Sequence, residues 1–148
     1  MTKQLFFDLL KDTWLRLFNS SLAYIEPQPQ LQECIFECFV EIPIVGTKQF
    51  LLVMAMPKHM SYEVAGILFQ EDPEALSEAD ANDALNELVN ILAGQVQRQL
   101  NEDTVLDLPI SLSKDQAQTI IQDIKPDWEI FGQYKKDVIY AGVFIAQV

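Results

Sequence analysis

From Ser77 to Asn101 the apolar residues return every third or fourth position, at Leu85, Leu88, Val89, Leu92, Val96 and Leu100. At about 100° per residue they share one face, which predicts a single helix of about 25 residues, roughly 37 Å long. Ser77 with Asp80 three residues on has the pattern of a capping box, and Glu78, Asp80 and Asp83 suit the positive end of the helix dipole. On the opposite face Asp83, Glu87, Asn90 and Gly94 fall in one row. One side is core, the other a narrow polar stripe.

The same periodicity over residues 2–19 aligns Leu5, Phe6, Leu9, Leu10, Trp14, Leu17 and Phe18, predicting an amphipathic first helix whose apolar face is core. Residues 26–32, polar and broken by two prolines, read as a linker. Over 33–45 the period drops to two. Cys34, Phe36, Cys38, Val40 and Ile42 face one way and Glu33, Glu37 and Glu41 the other, which is a strand with one buried face. Pro43 should mark its end or an edge position. Gly46-Thr47 turns the chain into the nearly all-apolar strand 49–56, making an antiparallel hairpin.

Ser61 is placed to cap a short helix over 62–70, followed by an acidic, proline-containing loop over 71–76. Beyond the long helix, 105–112 reads as a strand, 113–124 as a short helix, and 128–134 and 138–148 as closing strands. The last is apolar on both faces, so it should be central or covered, or else an edge that pairs with a second copy. The expected class is α+β: one domain over 1–148, an antiparallel or mixed β-sheet covered by helices on one side, with one long central helix.

Composition narrows the function. With 10 Lys+Arg against 22 Asp+Glu the formal net charge is −12, a poor basis for gripping nucleic acid or an anionic membrane. The chain has no N-terminal apolar run with a cleavage site and no apolar stretch of roughly 18 residues, so a cytoplasmic location is expected. Cys34 and Cys38, at i and i+4 of a regular strand, would lie about 13 Å apart, too far for a disulfide, and read as buried apolar residues. His59 is the single histidine and lacks an accompanying nucleophile or zinc-type ligand set, which favours a surface or capping role. The acidic loop lacks the spacing of a calcium-binding helix–loop–helix.

The stripe is the chemistry-bearing feature. A face that only meets solvent is usually built from Lys, Glu, Gln, Arg and Ala, whereas Asn90 and Gly94 are weak helix formers, Gly costing about 1 kcal/mol relative to Ala. Glu87 and Asn90, at i and i+3, point the same way with Cβ atoms about 5–6 Å apart. Gly94 removes the side chain that would hold off an approaching surface. Two readings stand: a solvated face with one tolerated Asn and one tolerated Gly, or a carboxylate and a carboxamide presented to a partner.

Asp83-x3-Glu87-x2-Asn90, continued by Gly94 and followed by Pro109 opening a strand, resembles the signature of the CheC/CheX/FliY family of chemotaxis phosphatases. The family pattern is Asp or Ser, three residues, Glu, two residues, Asn, and a later proline. Pro109 comes nineteen residues after Asn90, slightly closer than usual. The element order is similar over nearly the whole chain. Two-site members carry the Glu-x2-Asn pair twice; the first helix here, ending Asn19-Ser20-Ser21, does not repeat it, so the likeness is to single-site CheX rather than CheC.

The resemblance implies a phosphatase acting on the phospho-aspartate of a CheY-type response regulator. Asn90 would orient the attacking water and Glu87 would dock on the lysine lining the regulator's pocket. Asp83 would support the docking edge and Gly94 permit close approach. No cofactor is implied on this chain, Mg²⁺ being expected on the phosphorylated regulator, and CheX-like members imply a homodimer joined through strands. The rival is a non-catalytic regulator-binding adaptor or flagellar-switch-like scaffold. A plain dimerisation domain would leave Asn90 and Gly94 without a role.

Overall fold

The structure, a computed structural model, describes residues 1–100 and 102–146. Asn101, expected to end the long helix, and Gln147 and Val148, expected in the last strand, lie outside the described residues. The elements run α1 (Lys3–Phe18), β1 (Ala23–Tyr24), β2 (Cys38–Val45), β3 (Gln49–Met56), α2 (Lys58–Phe69), α3 (Glu78–Gln97), β4 (Val105–Leu106), β5 (Ile110–Leu112), α4 (Lys114–Asp123), β6 (Pro126–Tyr134) and β7 (Asp137–Ala146). The strands form one antiparallel sheet in the order β1-β6-β7-β3-β2-β4, with β5 also on β2.

The α+β class and the long central helix are as expected, but helices lie on both faces of the sheet. On one face α1, α2 and α3 bury Phe6, Leu10, Trp14, Val64, Leu88 and Leu92 against Val40, Ile42, Leu52, Met54 and Ile139. On the other, Ala117, Ile120, Ile121 and Ile124 of α4 and its C-terminal end join Phe36 in covering Phe39, Val53, Phe131, Tyr140 and Phe144. Strands β3 and β7 are apolar on both sides because both sides are covered. Strand β7 lies between β6 and β3, so it is central and not an edge.

Local chemistry corrects several boundaries. The expected strand 33–45 begins only at Cys38, since Leu31–Glu33 form a 3₁₀ turn that carries Cys34 off the sheet. The strand geometry expected for the two cysteines therefore does not hold; both are free and half-buried rather than buried. Burial raises both thiols, with the charge of Glu33 adding to the effect at Cys34. Helix α2 starts at Lys58 behind Pro57, and Ser61, expected as its cap, is buried in the first turn with its hydroxyl donating to the Lys58 carbonyl. His59 is exposed in that turn and lies 2.8 Å from Asp137 at the start of β7, a surface tie between α2 and the sheet.

Pro43 sits inside β2, neither ending it nor placing it at an edge. Lacking an N–H, it cannot continue a ladder to an outer strand. The stretch expected as one strand over 105–112 is accordingly two: β4 pairs with Ile44 and Val45, and β5 with Phe39, Val40 and Glu41. Between them the Asp107 N–H donates to the Pro43 carbonyl, 3.0 Å away.

The two edges of the sheet differ. On β6, β1 pairs with only Gln133 and Gly132. Beyond it the Gln28 carboxamide replaces a strand, accepting from the Phe131 N–H at 2.7 Å and donating to the Phe131 carbonyl at 3.0 Å. At the other edge β4 and β5 are short, and Val105, Leu108 and Ile110 are exposed.

Candidate functional site

Helix α3 is fixed from its first turn. The Ser77 hydroxyl accepts from the Asp80 N–H at 3.1 Å and the Asp80 carboxylate accepts from the Ser77 N–H at 2.9 Å, closing the capping box. Ala81, Ala84, Leu85, Leu88, Val89, Leu92, Ala93 and Val96 are buried, while Leu100, beyond the helix, is half-buried. Each large apolar side chain so buried contributes about 1.5–3 kcal/mol, enough to hold the helix despite its poor formers. The rotation of α3 about its axis is therefore set by its core face.

That rotation turns Asp83, Glu87 and Asn90 outward, and all three are exposed. Among the described residues none of them makes a side-chain hydrogen bond or ion pair. Gly94, one turn after Asn90, is half-buried, yet a Cβ built there meets no atom within 4 Å. Internal packing thus gives no reason for a glycine. The four predicted residues share one outward strip of rigid helix, with a gap in side-chain cover at its C-terminal end.

The stripe's surroundings come from two directions. Along one flank, Gln97 donates to the Thr104 carbonyl and ties the end of α3 to the approach to β4. Pro109 follows β4 and opens β5, as the pattern predicted. At the N-terminal end, a polar cleft of about 270 Å³ separates the first turns of α3 from α2 and β2, lined by Cys38, Lys58, Ser61, Tyr62 and Asn82. A larger groove of about 390 Å³ lies on the other face of the sheet, between α4 and the turn carrying Cys34 and Ile35, and holds none of the stripe residues.

Asn82 and Asn86 were not singled out in the sequence, although asparagine at 82, 86 and 90, every fourth position, was the available signal. Both are half-buried, and the Asn86 Oδ1 is fully buried with no hydrogen-bond partner. Among the described residues no group of three or more His, Cys, Asp or Glu is arranged to hold a metal ion. In the same residues no helix is long and apolar enough to cross a membrane. What the strip offers chemically is one carboxylate and one carboxamide, presented on a rigid backbone with open access.

The family described as "Chemotaxis phosphatase CheX" matches residues 39–125, from β2 through the end of α4, and the chain belongs to that family. No curated protein matches the sequence. Among solved structures, the chemotaxis protein CheX from Vibrio vulnificus is similar with a TM-score of 0.71 at 12% identity, over 95% of this chain and 93% of that one. A CheX–CheY–BeF3–Mg complex from Borrelia burgdorferi gives a TM-score of 0.70 at 12% identity, with 97% of each chain covered. A CheC-like superfamily protein from Shewanella sp. PV-4 gives 0.69 at 16% identity, over 96% and 95%. At these identities the likeness is one of fold.

Proposed function

We propose that this chain hydrolyses the phospho-aspartate of a CheY-type response regulator, with Asn90 orienting the attacking water and Glu87 docking the regulator's active-site lysine. The observation that carries the reading is the exposed, unpartnered Glu87–Asn90 pair on α3, next to a glycine that packing does not require, in a chain of the CheX family. The similar Borrelia burgdorferi structure holds a CheX with CheY, which supports a regulator of that type as the partner.

An aspartyl phosphate is a reactive mixed anhydride, so the phosphatase needs chiefly to place a water in line with phosphorus. The water oxygen bonds to phosphorus while the bond to the aspartate oxygen breaks, giving inorganic phosphate and a free carboxylate. A carboxamide suits this task because it offers one acceptor oxygen and two N–H donors at fixed angles. Glu87, one turn from Asn90, fixes the register of docking through a charge-assisted bond to the lysine. Asp83 extends the docking edge, and Gly94 lets the regulator's backbone come close. The Mg²⁺ that neutralises the phosphoryl charge comes with the regulator.

Homodimerisation through strand pairing belongs to the same proposal, and the sheet edges favour one route. Gln28 and β1 occupy the β6 edge, whereas β4 and β5 present short, apolar outer strands.

Two variants test the site. Glu87→Ala should weaken regulator binding and turnover together, whereas Asn90→Ala should bind with wild-type affinity and lose turnover. If both variants dephosphorylated the regulator normally, the site would lie elsewhere on the fold.

A further inference from the structure

We infer that Asn86 is a positioning residue for Asn90, its Oδ1 accepting a hydrogen bond from the Asn90 Nδ2 when the regulator docks. This rests on the assignment of Asn90 as the water-orienting group. Asn82, Asn86 and Asn90 follow at four-residue spacing on α3, each step turning by about 40°, so the three carboxamides form one ridge. Asparagine is a weak helix former, and three on a single ridge is a costly arrangement for a helix that only needs to be helical.

The ridge runs from the polar cleft to the open surface. Asn82 lines the polar cleft beside Ser61 and Tyr62, Asn86 is half-buried, and Asn90 is exposed. The Asn86 Oδ1 is buried and unpaired, so it is an acceptor with its desolvation already incurred and no bond to offset it. Helix neighbours of Asn86 stand at three and four residues either way; of these Asn82 and Asn90 carry Nδ2 donors, and Asn90 is the one on the exposed strip that a docking regulator would press inward. One N–H of Asn90 directed at Asn86 leaves the other N–H and the oxygen free for the phosphoryl group and the water. The exposed carboxamide would otherwise rotate freely about its last bond. Held from below, it keeps the angle that in-line attack requires.

Steady-state kinetics of the full chain on a phosphorylated CheY-type regulator, with melting temperatures of each variant, test this. Asn86→Ala should lower kcat about tenfold while KM stays at its wild-type value and the melting temperature does not fall, as expected for a misaligned reacting group in a helix that loses only a poor former and an unpaired acceptor. Asn86→Asp keeps an acceptor oxygen at the same place, so kcat should return to within about threefold of wild type, while its half-buried charge lowers the melting temperature and acts on KM. Wild-type kcat in Asn86→Ala overturns the inference. So does a loss that follows the melting temperature, or an Asn86→Asp variant as slow as Asn86→Ala. Asn90→Ala separates the levels: if it is inactive while Asn86→Ala is unimpaired, only the positioning role fails; if it is fully active, the assignment of Asn90 itself fails.

Discussion

Glu87 and Asn90 stand three residues apart on the exposed strip of α3, and among the described residues neither side chain has a hydrogen-bond or ion-pair partner. Their direction is set from behind, by Leu88, Val89 and Leu92, each fully buried against the sheet. Leu88→Ala should therefore cost about 2–5 kcal/mol of stability, measurable by denaturant unfolding, because it opens a cavity in the layer that orients the strip.

Gly94 separates stability from function. Its added Cβ meets open space, so Gly94→Ala should stabilise the chain by about 0.5–1 kcal/mol through helix propensity. Gly94→Arg should melt no lower than wild type yet raise KM for the phosphorylated regulator severalfold. Thermal unfolding alongside regulator titration would show whether the two effects part in this way.

Glu41 carries a pH signature. It lies on β2 facing the α4 side of the sheet, with its Oε2 buried and unpartnered, and burial raises its carboxyl above the ordinary glutamate range. An acid whose folded pKa is raised binds its proton more tightly when folded, so stability is fullest below the unfolded pKa and falls as pH rises through the folded one. Glu41→Gln should therefore melt roughly 1–3 °C above wild type at pH 7, with the difference closing towards pH 4. Paired melting curves across that range check both sign and window.

The open edge makes a prediction about assembly. If chains pair through β4 and β5, Leu108→Lys and Ile110→Lys together should shift sedimentation from dimer to monomer without lowering the melting temperature of the monomer. Both side chains are exposed in the single chain, so the substitutions disturb no core. A dimer that survives both changes would place the contact elsewhere.

The parts of the fold legible in the sequence were those where one face is dry and the other wet. The 3.6-residue period gave α1 to within a residue at each end, the Ser77 capping box gave the start of α3, and the alternation after Cys38 gave the β2–β3 hairpin. The period carried α3 on to Asn101, whereas the helix ends at Gln97, because the apolar spacing that includes Leu100 continues into the turn beyond it. Other features depended on distant partners. Nothing local at 105–112 reveals that Pro43, more than sixty residues earlier, withholds the N–H that would let a single strand form. Nothing in the linker composition shows that Gln28 would close the edge at Phe131. Cys34 shares a period with Cys38 but leaves the sheet at a 3₁₀ turn, because alternation alone does not fix where pairing begins.

For the candidate site, the strip Asp83, Glu87, Asn90 and Gly94 followed from helical geometry alone, since all four lie on one element and need no tertiary contact to align. The buried, unpaired Oδ1 of Asn86 did not, because burial on a helix flank depends on what packs beside it.

The most direct measurement is the decay of a phosphorylated CheY-type regulator with and without this protein, comparing wild type with Asn90→Ala. Wild type should accelerate phosphate release, and the variant, still bound to the regulator, should leave decay at its spontaneous rate. Acceleration by Asn90→Ala equal to wild type, or none by wild type with any such regulator despite a saturable complex, would contradict the proposed function.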